Sequence, residues 1–473
     1  MKLTKSLLLA SVAGFAAVAS AQAADLPSKK AAPVEYVKVC PTYGPGFFFI
    51  PGTTDCLKIG GRVRAQMGFA QTYSRGDDVT GFRAQLRPEF DHRSSTEYGL
   101  LRTHVRLEIA RRTGEQTGND RNSEGLTLMN ARRGANGSTL FSVDRAYVQL
   151  GGLTAGRSVS FFDNTGDVVR FDSMGHSDRV TNLFAYTASL GGGFTATISA
   201  EDNNERKNNQ APTAAFQNAD GFRVASGNNS YNGGNAVPDG VLQLRLVQSW
   251  GNIQASGALH EVRANWWAGA VDAGTNSPAI AANSGRFADT EFGHALSLGG
   301  RINLPMIAAG DYFHLSGTYA KGALDYVNPI NAGGNWSVTQ NDVASVVDAN
   351  GNLTSKLTTS MGLAAVFHHQ FTPTVFSRVY GAYTKFEVPS AIRDVAVNGV
   401  YASQTGNNAT AMNAGFQVGW NPVVNLTLIT QIDYTKFDPS GQVRAANPTF
   451  AGANAAKGSV DTWTGRIRIQ RDF

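Results

Sequence analysis

The sequence is poor in cysteine, in charged residues and in long apolar runs. Its two cysteines are too few for a disulfide-dense secreted scaffold. Beyond the first residues, no stretch approaches the roughly 18 consecutive apolar residues of a membrane-spanning helix. Charged residues make up 16% and hydrophobic ones 42%, with a mean hydropathy of −0.20. This balance is too apolar for a disordered chain and too polar for a bundle of membrane helices.

The charge surplus is also small. The formal net charge is +5 at pH 7, which does not indicate a nucleic-acid partner. Glycine is abundant, with 52 residues, whereas proline is modest, with 16. The length of 473 residues fits about three domains of about 150 residues, and it fits one large β-barrel equally well.

The N-terminus has the organisation of an export signal. Lys2 and Lys5 precede an apolar run over residues 7–20, and Ala21-Gln22-Ala23 offers a small-residue cleavage site. This pattern predicts a signal peptide over residues 1–23, cleaved after Ala23. A membrane anchor is the alternative, although the apolar run is short for a helix that crosses a bilayer.

Cys40 and Cys56 form an isolated pair in a chain that is predicted to be exported. In an oxidising compartment such a pair is expected to form a disulfide, and two free thiols are the alternative. A zinc site would need further ligands, and the neighbouring sequence offers none.

Alternation of apolar and polar residues is the strongest signal. From Leu57 to Phe69 apolar and small residues occupy the odd positions and mainly polar ones the even positions, and the segment from Trp463 to Phe473 alternates in the same way. A period of two predicts β-strands with one apolar and one polar face. Two of the predicted segments, 153–158 and 181–189, are assigned partly from their neighbours. The predicted strands are 57–69, 81–90, 100–111, 142–150, 153–158, 181–189, 194–201, 241–250, 253–262, 293–304, 311–321, 360–369, 375–386, 411–420, 425–436 and 462–473.

The connections between these segments alternate in length. Short links such as Gly151-Gly152, Gly251-Asn252 and residues 421–424 alternate with long polar stretches such as 202–240 and 322–359. This arrangement is typical of outer-membrane barrels with short periplasmic turns and long external loops. Strands can cross a bilayer only as a closed cylinder, because an open edge would leave backbone groups unpaired in hydrocarbon. The predicted fold is therefore all-β, a transmembrane antiparallel up-and-down β-barrel of 16 strands.

In such a barrel the apolar face contacts lipid and the polar face lines the lumen. A barrel of sixteen strands is too wide to be filled by side chains from its own wall, so it encloses water. Aromatic residues near the strand ends, such as Trp250, Trp420 and Trp463, match interfacial girdles. Six arginines are predicted to form the pore wall: Arg62, Arg64, Arg83, Arg87, Arg102 and Arg106. Further predicted inward positions are His104, Glu108, Arg301 and Asp433.

The connection at about residues 159–180 has an unusual composition for an exposed loop. It combines three phenylalanines with several aspartates, and so many apolar side chains indicate a loop folded into the barrel. We hypothesise that it constricts the lumen and directs its carboxylates at the arginines of strands one to three, which would create a transverse field. A solvated loop position is the alternative for each aspartate, and a solvated wall position for each arginine. The predicted constriction residues are Asp163, Asp167, Asp172 and Asp178.

Two segments resemble one family. The sequence AADLPSKKAAPVEYVKVCPTYGPGFFFIPGTTDCLKIGGRVR after the leader, and DRAYVQLGGLTAGRSVSFFD at residues 144–163, are similar to the alphaproteobacterial general porins. The resemblance implies a trimeric, sixteen-stranded channel for passive diffusion of small hydrophilic solutes and ions, with Cys40 and Cys56 as the family's cysteine pair. The terminal Phe473 is similar to the aromatic residue that the barrel assembly machinery reads.

The resemblance also predicts an organisation and a compartment. Residues 24–56 are expected to form a periplasmic N-terminal segment and residues 57–473 the barrel. We expect the chain in the bacterial outer membrane, in contact with lipid and lipopolysaccharide. No cofactor, metal or nucleic acid is expected.

Three alternatives to this interpretation need to be compared with it. A substrate-specific sugar or anion channel would share the barrel, and the inward arginines indicate a weak anion preference. In a secreted β-rich enzyme or adhesin, the only candidate catalytic or metal groups are His260, Glu261, His368 and His369. The last two are adjacent, so on a strand they face opposite sides, and no HExxH or GxSxG motif occurs. A plugged transporter needs a plug domain, and residues 24–56 are too few for one.

Overall fold

The structure is a computed structural model. It describes residues 38–71, 78–114, 126–127, 137–164, 174–207, 234–263, 289–327, 342–347, 353–389, 396–397, 400–401, 408–439 and 459–473. The predicted signal peptide, residues 1–23, and the following residues to 37 lie outside these ranges. The chain forms two compact units, residues 1–56 and 57–473.

The described part of the N-terminal unit is organised around a disulfide. Cys40 and Cys56 are bonded through their sulfurs, which confirms the predicted pair. Between them lie a single 3₁₀ turn, Pro41–Tyr43, and a short strand, Phe48–Phe49. Phe47 is buried with the two cysteines. The disulfide therefore serves as part of a small core.

Sixteen long strands among the described residues build the second unit, and each corresponds to one predicted segment. Most predicted ends agree with the observed ends within three residues. The strands are β1 (Cys56–Ala70), β2 (Thr80–Thr96), β3 (Gly99–Arg112), β4 (Ser138–Leu150), β5 (Leu153–Val159), β6 (Val180–Gly191), β7 (Phe194–Glu201), β8 (Asp239–Gln248), β9 (Gly251–Val262), β10 (Glu291–Asn303), β11 (Tyr312–Lys321), β12 (Thr359–Gln370), β13 (Val375–Glu387), β14 (Ala409–Val423), β15 (Leu426–Pro439) and β16 (Val460–Asp472).

The sheet closes on itself. Each strand pairs with the next along the chain, and β16 pairs with β1 in an antiparallel register that sets Arg62 opposite Asp472. At the seam the backbone N–H of Phe473 donates to the carbonyl of Gly61 at 2.9 Å, and Gly61 N–H donates back at 3.0 Å. Closure pairs the backbone N–H and C=O groups of the two edge strands, which would cost free energy if they lay unpaired in hydrocarbon. The predicted sixteen-stranded antiparallel barrel is confirmed.

The barrel has the inverted polarity of a membrane protein. Outward side chains are apolar and exposed, with Phe82 at 57% and Leu298 at 62% of full exposure, whereas the inward Gln417 is fully buried. Successive side chains point to opposite faces, so the alternation in the sequence directly produces these two surfaces. The outside is apolar because it contacts acyl chains, and the inside is polar because it contacts water in the lumen.

Two strands extend further than their alternation predicts. β2 continues to Thr96 rather than ending at Phe90, which brings Asp91 and Arg93 onto the inner face. β4 begins at Ser138 rather than at residue 142, and a β-bulge at Asp144 interrupts its pairing with β3 between Arg106 and Leu107. The bulge inserts one residue, so the inward parity changes there, and a strict period of two cannot be followed across it.

Two short turns lie at positions other than those predicted. Gly251 pairs with Gln248, so the β8–β9 turn is residues 249–250 rather than Gly251-Asn252. The β14–β15 turn is residues 424–425 rather than 421–424, because a bulge after Trp420 carries the pairing on to Val423. Asn425 has a φ of 63°, a left-handed conformation that asparagine tolerates and that allows a tight turn.

Several smaller elements lie in the long connections. Leu126–Thr127 pairs with β4, Val343–Val347 with Leu353–Leu357, and Ala396–Val397 with Val400–Tyr401. Two 3₁₀ turns, Asn203–Glu205 and Leu324–Tyr326, follow β7 and β11. Within the described ranges, no helix has the length and apolarity needed to cross a bilayer.

Candidate functional site

The six predicted pore-wall arginines share one side of the inner surface. They alternate with outward apolar residues that are half exposed, such as Val63 and Phe82, and therefore project inward. We call this group the arginine wall. It consists of Arg62 and Arg64 on β1, Arg83 and Arg87 on β2, and Arg102 and Arg106 on β3.

A single carboxylate restrains much of the wall. Glu108 on β3 accepts from Arg83 Nη2 at 2.5 Å and from Arg87 Nε at 2.8 Å, and Arg87 Nη2 also contacts it. Arg112 Nη2 lies 3.4 Å from the same carboxylate. Sharing one acceptor fixes the guanidinium groups and leaves positive charge in excess.

Two further carboxylates hold the ends of the wall. Asp91 accepts from both Arg93 and Arg102, with Nη2 to Oδ2 distances of 2.8 and 2.9 Å. Asp144, the residue that the bulge in β4 inserts, pairs with Arg106. The bulge thus places two successive residues, Asp144 and Arg145, on the inner face.

Some inward arginines, in the wall and beside it, bind neutral acceptors. Arg64 Nη2 donates to the amide oxygen of Gln470 at 2.7 Å, and Arg468 on β16 donates to that of Gln66 at 2.6 Å. Arg64 is also within electrostatic reach of Arg62, Arg83 and Arg87. An amide orients a guanidinium without cancelling its charge, so the nearby Glu108 carboxylate is the group that offsets the charge of Arg64.

The inner faces of β16 and β1–β4 therefore carry a surplus of positive charge. Their inward arginines outnumber their inward carboxylates. The arginines are Arg62, Arg64, Arg83, Arg87, Arg93, Arg102, Arg106, Arg112, Arg145, Arg466 and Arg468, and the carboxylates are Glu89, Asp91, Glu108, Asp144 and Asp472.

The connection between β5 and β6, residues 160–179, lies inside the barrel where it is described. A side-chain carbon added at the inward Gly362 of β12 would overlap the backbone of Gly175, and one at Gly299 of β10 would overlap the amide of Asn164. The two glycines leave room for the connection to approach the wall closely. We call residues 160–179 the inner loop, and its inward position agrees with the prediction.

Polar side chains of the barrel hold the first residues of the inner loop. Glu201 on β7 accepts from Ser160 Oγ at 2.6 Å and from the Phe161 backbone N–H at 3.0 Å. Gln243 on β8 donates to the carbonyl of Phe161 at 2.7 Å, and Gln254 on β9 donates to that of Asp163 at 3.0 Å. Side chains thus supply the partners that the loop backbone needs away from bulk water.

An apolar contact accompanies these hydrogen bonds. Phe162 is 1% exposed and packs in a cluster with Val241, Ala258, Ala295 and Tyr326. Its ring meets that of Tyr326 edge to face, with centroids 4.6 Å apart. This contact explains why the loop sequence contains apolar residues.

We predicted that Asp163 faces the arginine wall, but its carboxylate binds other partners. Its Oδ2 accepts the backbone N–H of Arg179 at 2.6 Å, and Arg206 Nη2 lies 3.6 Å from its Oδ1. Arg179 directly precedes β6 and Arg206 follows β7. Both partners therefore lie at the β6–β7 hairpin, away from β1–β3. Burial raises the pKa of the Asp163 carboxyl to about 7, although the charge of Arg206 opposes the shift.

Sequence reasoning missed the ion-pair cluster that surrounds Asp163. Asp325, in the 3₁₀ turn after β11, binds Arg179 Nε at 2.7 Å and lies 3.4 Å from Arg206 Nη1. The Arg206 guanidinium also stacks on Tyr326, 3.9 Å from the ring centroid. Arg206 and Asp325 belong to long connections, where no periodic pattern reveals the direction of a side chain.

The other predicted loop residues are placed only in part. Asp178 is half-buried and within electrostatic reach of Asp163. Asp167 and Asp172 lie outside the described residues.

The histidines that an enzyme would need are separated. His260 is buried against Asp239, with Nδ1 2.8 Å from Oδ2, whereas His368 faces the lumen and His369 contacts Asp311. Within the part of the chain that the structure describes, no group of three or more potential ligands could hold a metal ion.

Comparison with known proteins gives consistent matches. A family model described as "Porin subfamily" matches residues 25–465. Porin Omp2b of Brucella suis is 32% identical over 272 residues, which cover 55% of this chain and 68% of that protein. Porin Omp2b of Brucella abortus is 31% identical over 269 residues, covering 55% and 67%. The outer membrane channel DcaP of Acinetobacter baumannii has a similar fold, with a TM-score of 0.57 at 13% identity over 90% of this chain and 99% of that one.

Proposed function

The chain belongs to the porin subfamily and forms an outer-membrane channel for passive diffusion, and from this premise we propose that the arginine wall and the inner loop together select its solutes. Its relatives are porins, which indicates a channel rather than an enzyme. The solutes we propose are small hydrophilic molecules and ions, because they must pass between charged groups in a wet lumen.

The observation that carries the proposal is the position of the inner loop relative to the arginine wall. The loop contacts β7 to β10 and β12, whereas the wall lies on β1–β3. In the order of the closed sheet, β10 is eight strands from β2 in both directions. The described ends of the loop, residues 160–164 and 174–179, therefore lie opposite the wall, which supports a path for solutes between the loop and the wall.

We further propose that the channel has a weak anion preference. The inner faces of β16 and β1–β4 carry more arginines than carboxylates, and Arg64 binds an uncharged partner. The docked end of the loop adds little opposing charge, because Arg179 and Arg206 pair with Asp163 and Asp325. Asp167 and Asp172 remain our candidates for loop carboxylates directed at the lumen.

The test is a measurement of the reversal potential across a planar bilayer under a KCl gradient. Unmodified protein should form stable channels with modest anion selectivity, and R64Q together with R83Q should shift the reversal potential toward cation selectivity. R111Q is the matched control, since Arg111 is an exposed, outward residue of β3. Strong cation selectivity of the unmodified channel would contradict the proposal, and strong, saturable block by a single sugar would favour a substrate-specific channel.

Porin relatives imply a trimeric channel, and we propose that this chain forms a homotrimer in the bacterial outer membrane. Its apolar outer band would contact lipid and lipopolysaccharide. Triplet closure steps in single-channel records, and heat-modifiable migration of the protein on a gel, would test the trimer.

The ends of the chain carry two further proposals. Residues 1–23 are removed after Ala23 and residues 24–56 remain on the periplasmic side, which the N-terminal sequence of the mature protein and its accessibility to protease would test. Phe473 is proposed to be read by the barrel assembly machinery. Its side chain is 58% exposed, so another protein can contact it.

A further inference from the structure

A continuous stack of flat side chains crosses four strands at one end of the lumen. Arg301 on β10 lies over the ring of Tyr312 on β11, 4.0 Å from its centroid, and Tyr312 stacks on His368 of β12 with centroids 4.8 Å apart. On β13, Phe376 meets His368 at 5.2 Å, and Arg378 lies 4.8 Å from the Phe376 centroid. We call these five residues the cation–aromatic stack.

The stack lies on the inner surface near the short turns. Tyr312 and His368 are 5% and 6% exposed, whereas Phe313 and Leu363, outward residues of the same two strands, are 36% and 50% exposed. Tyr312 directly follows the turn at residues 304–311, and Phe376 lies just after the turn at residues 371–374. In a porin this end faces the periplasm, so the stack lies beyond the inner loop for a solute that enters from outside.

The charge of the stack resides in its two guanidinium groups. His368 accepts at Nδ1 from Arg378 Nε at 3.1 Å, which requires a neutral ring, and its Nε2 lies 3.3 Å from the amide oxygen of Gln370. Arg378 Nη1 donates to Gln417 at 3.0 Å. Among the described residues, the hydrogen-bond acceptors of Arg378 are thus neutral. Asp311, the carboxylate within reach of His368, binds His369 and the Gln370 backbone.

Stacking also prepares the guanidinium groups for an anion. An arginine that lies on an aromatic face is held in one orientation and directs its remaining N–H groups outward in its own plane. These edges match a carboxylate. Because the rings and the neutral acceptors already restrain the side chain, little conformational entropy is lost when an anion binds.

We propose that the cation–aromatic stack is an anion-binding subsite at the short-turn end of the lumen, which takes carboxylate-bearing organic solutes after they pass the inner loop. The inference rests on the proposed channel function, since the stack acts only if solutes cross this lumen. A carboxylate binds at the edge of Arg378, and Arg301 at the other end of the stack adds a second positive group for a dicarboxylate. The subsite is separate from the arginine wall on β1–β3.

The test measures single-channel conductance of the full-length protein in planar bilayers as the concentration of potassium glutarate rises, with potassium chloride as reference. A binding site makes the conductance saturate, because an occupied site limits the flux. We expect saturation in glutarate, and we expect R378Q to raise the half-saturating concentration about tenfold, the loss that corresponds to one charge-assisted hydrogen bond. R378K, which keeps the charge and loses the planar fork, should give an intermediate value.

The matched control is R245Q. Arg245 is an exposed, inward arginine near the short-turn end of β8 and lies outside the stack, so its loss should change ion selectivity and leave the saturation in glutarate. Equal effects of R245Q and R378Q would overturn the inference, as would a linear conductance of the unmodified channel in glutarate. Should R378Q fail to form channels, R301Q decides the question, with a weakened half-saturation expected. Absence of any channel in KCl would instead refute the proposed function.

Discussion

Glu108 on β3 accepts a hydrogen bond from Arg83 on β2 at 2.5 Å, and it holds Arg87 with its second oxygen. One buried carboxylate therefore binds two guanidinium groups and offsets their mutual repulsion. The orientation of the two β2 arginines of the wall therefore depends on this carboxylate of β3.

We expect E108Q to weaken the barrel and to increase its anion preference. The glutamine cannot balance the charge of Arg83 and Arg87, and removing one partner of a buried ion pair costs about 3–5 kcal/mol, less where lumen water screens the charges. The measurements are the reversal potential in a KCl gradient and the temperature of the heat-modifiable transition. E97Q is the control, because Glu97 is exposed in the β2–β3 turn. An unchanged reversal potential would show that Glu108 does not control the wall.

We expect G362A to displace the inner loop. A Cβ at this position would overlap the backbone of Gly175, so the loop must move toward the centre of the lumen, and single-channel conductance should fall. The cost of overpacking is about 1–3 kcal/mol. G317A on β11 faces outward, where its Cβ would make only ordinary contacts, and should leave the conductance unchanged. Equal conductance of the two variants would argue against close docking.

Loop docking should depend on pH through Asp163. Its pKa is about 7 when folded and about 3.9 in an unfolded chain, so the folded state binds the additional proton between these values. Its contribution to stability is therefore present at low pH and is lost as the pH rises through about 7, by at most about 1.4 kcal/mol per pH unit. Thermal transitions recorded from pH 5 to 9 should show this slope, and D163N should remove it. The same slope in D163N would assign it to another group.

Reduction of the Cys40–Cys56 disulfide should destabilise the N-terminal unit. The bond closes a loop of sequence separation 16, and its loss should cost about 3 kcal/mol. Hydrogen exchange across residues 38–56 should accelerate in the C40S/C56S variant. The heat-modifiable transition of the barrel is the internal control and should not shift, and a marked shift would show that the barrel itself requires the disulfide.

The strands were predictable because a lipid-exposed sheet imposes a strict period of two on the sequence. Even the weakly patterned segments at 153–158 and 181–189 form β5 and β6. The period failed at the β4 bulge, where Asp144 and Arg145 are both on the inner face. The end of β2 was missed although the period continues there, because the outward residues beyond Phe90, His92 and Ser94, are polar.

The site was predictable only where it lies on strands. Arg83 and Glu108 are inward by parity alone, whereas the pairing of Asp163 with Arg206 depends on how two connections fold against one another. Contacts of this kind lack a local sequence signal, because the free energy that selects them comes from burial and charge complementarity between distant segments.

The hydrogen bonds between Gly61 and Phe473 have a kinetic consequence for biogenesis. The first strand, β1, finds its final neighbour only when β16 is present, so stepwise, hairpin-by-hairpin entry would leave an unsatisfied backbone edge among acyl chains. Insertion must therefore wait for the whole polypeptide. Any shorter stretch of the chain leaves at least two strand edges whose backbone groups lack partners.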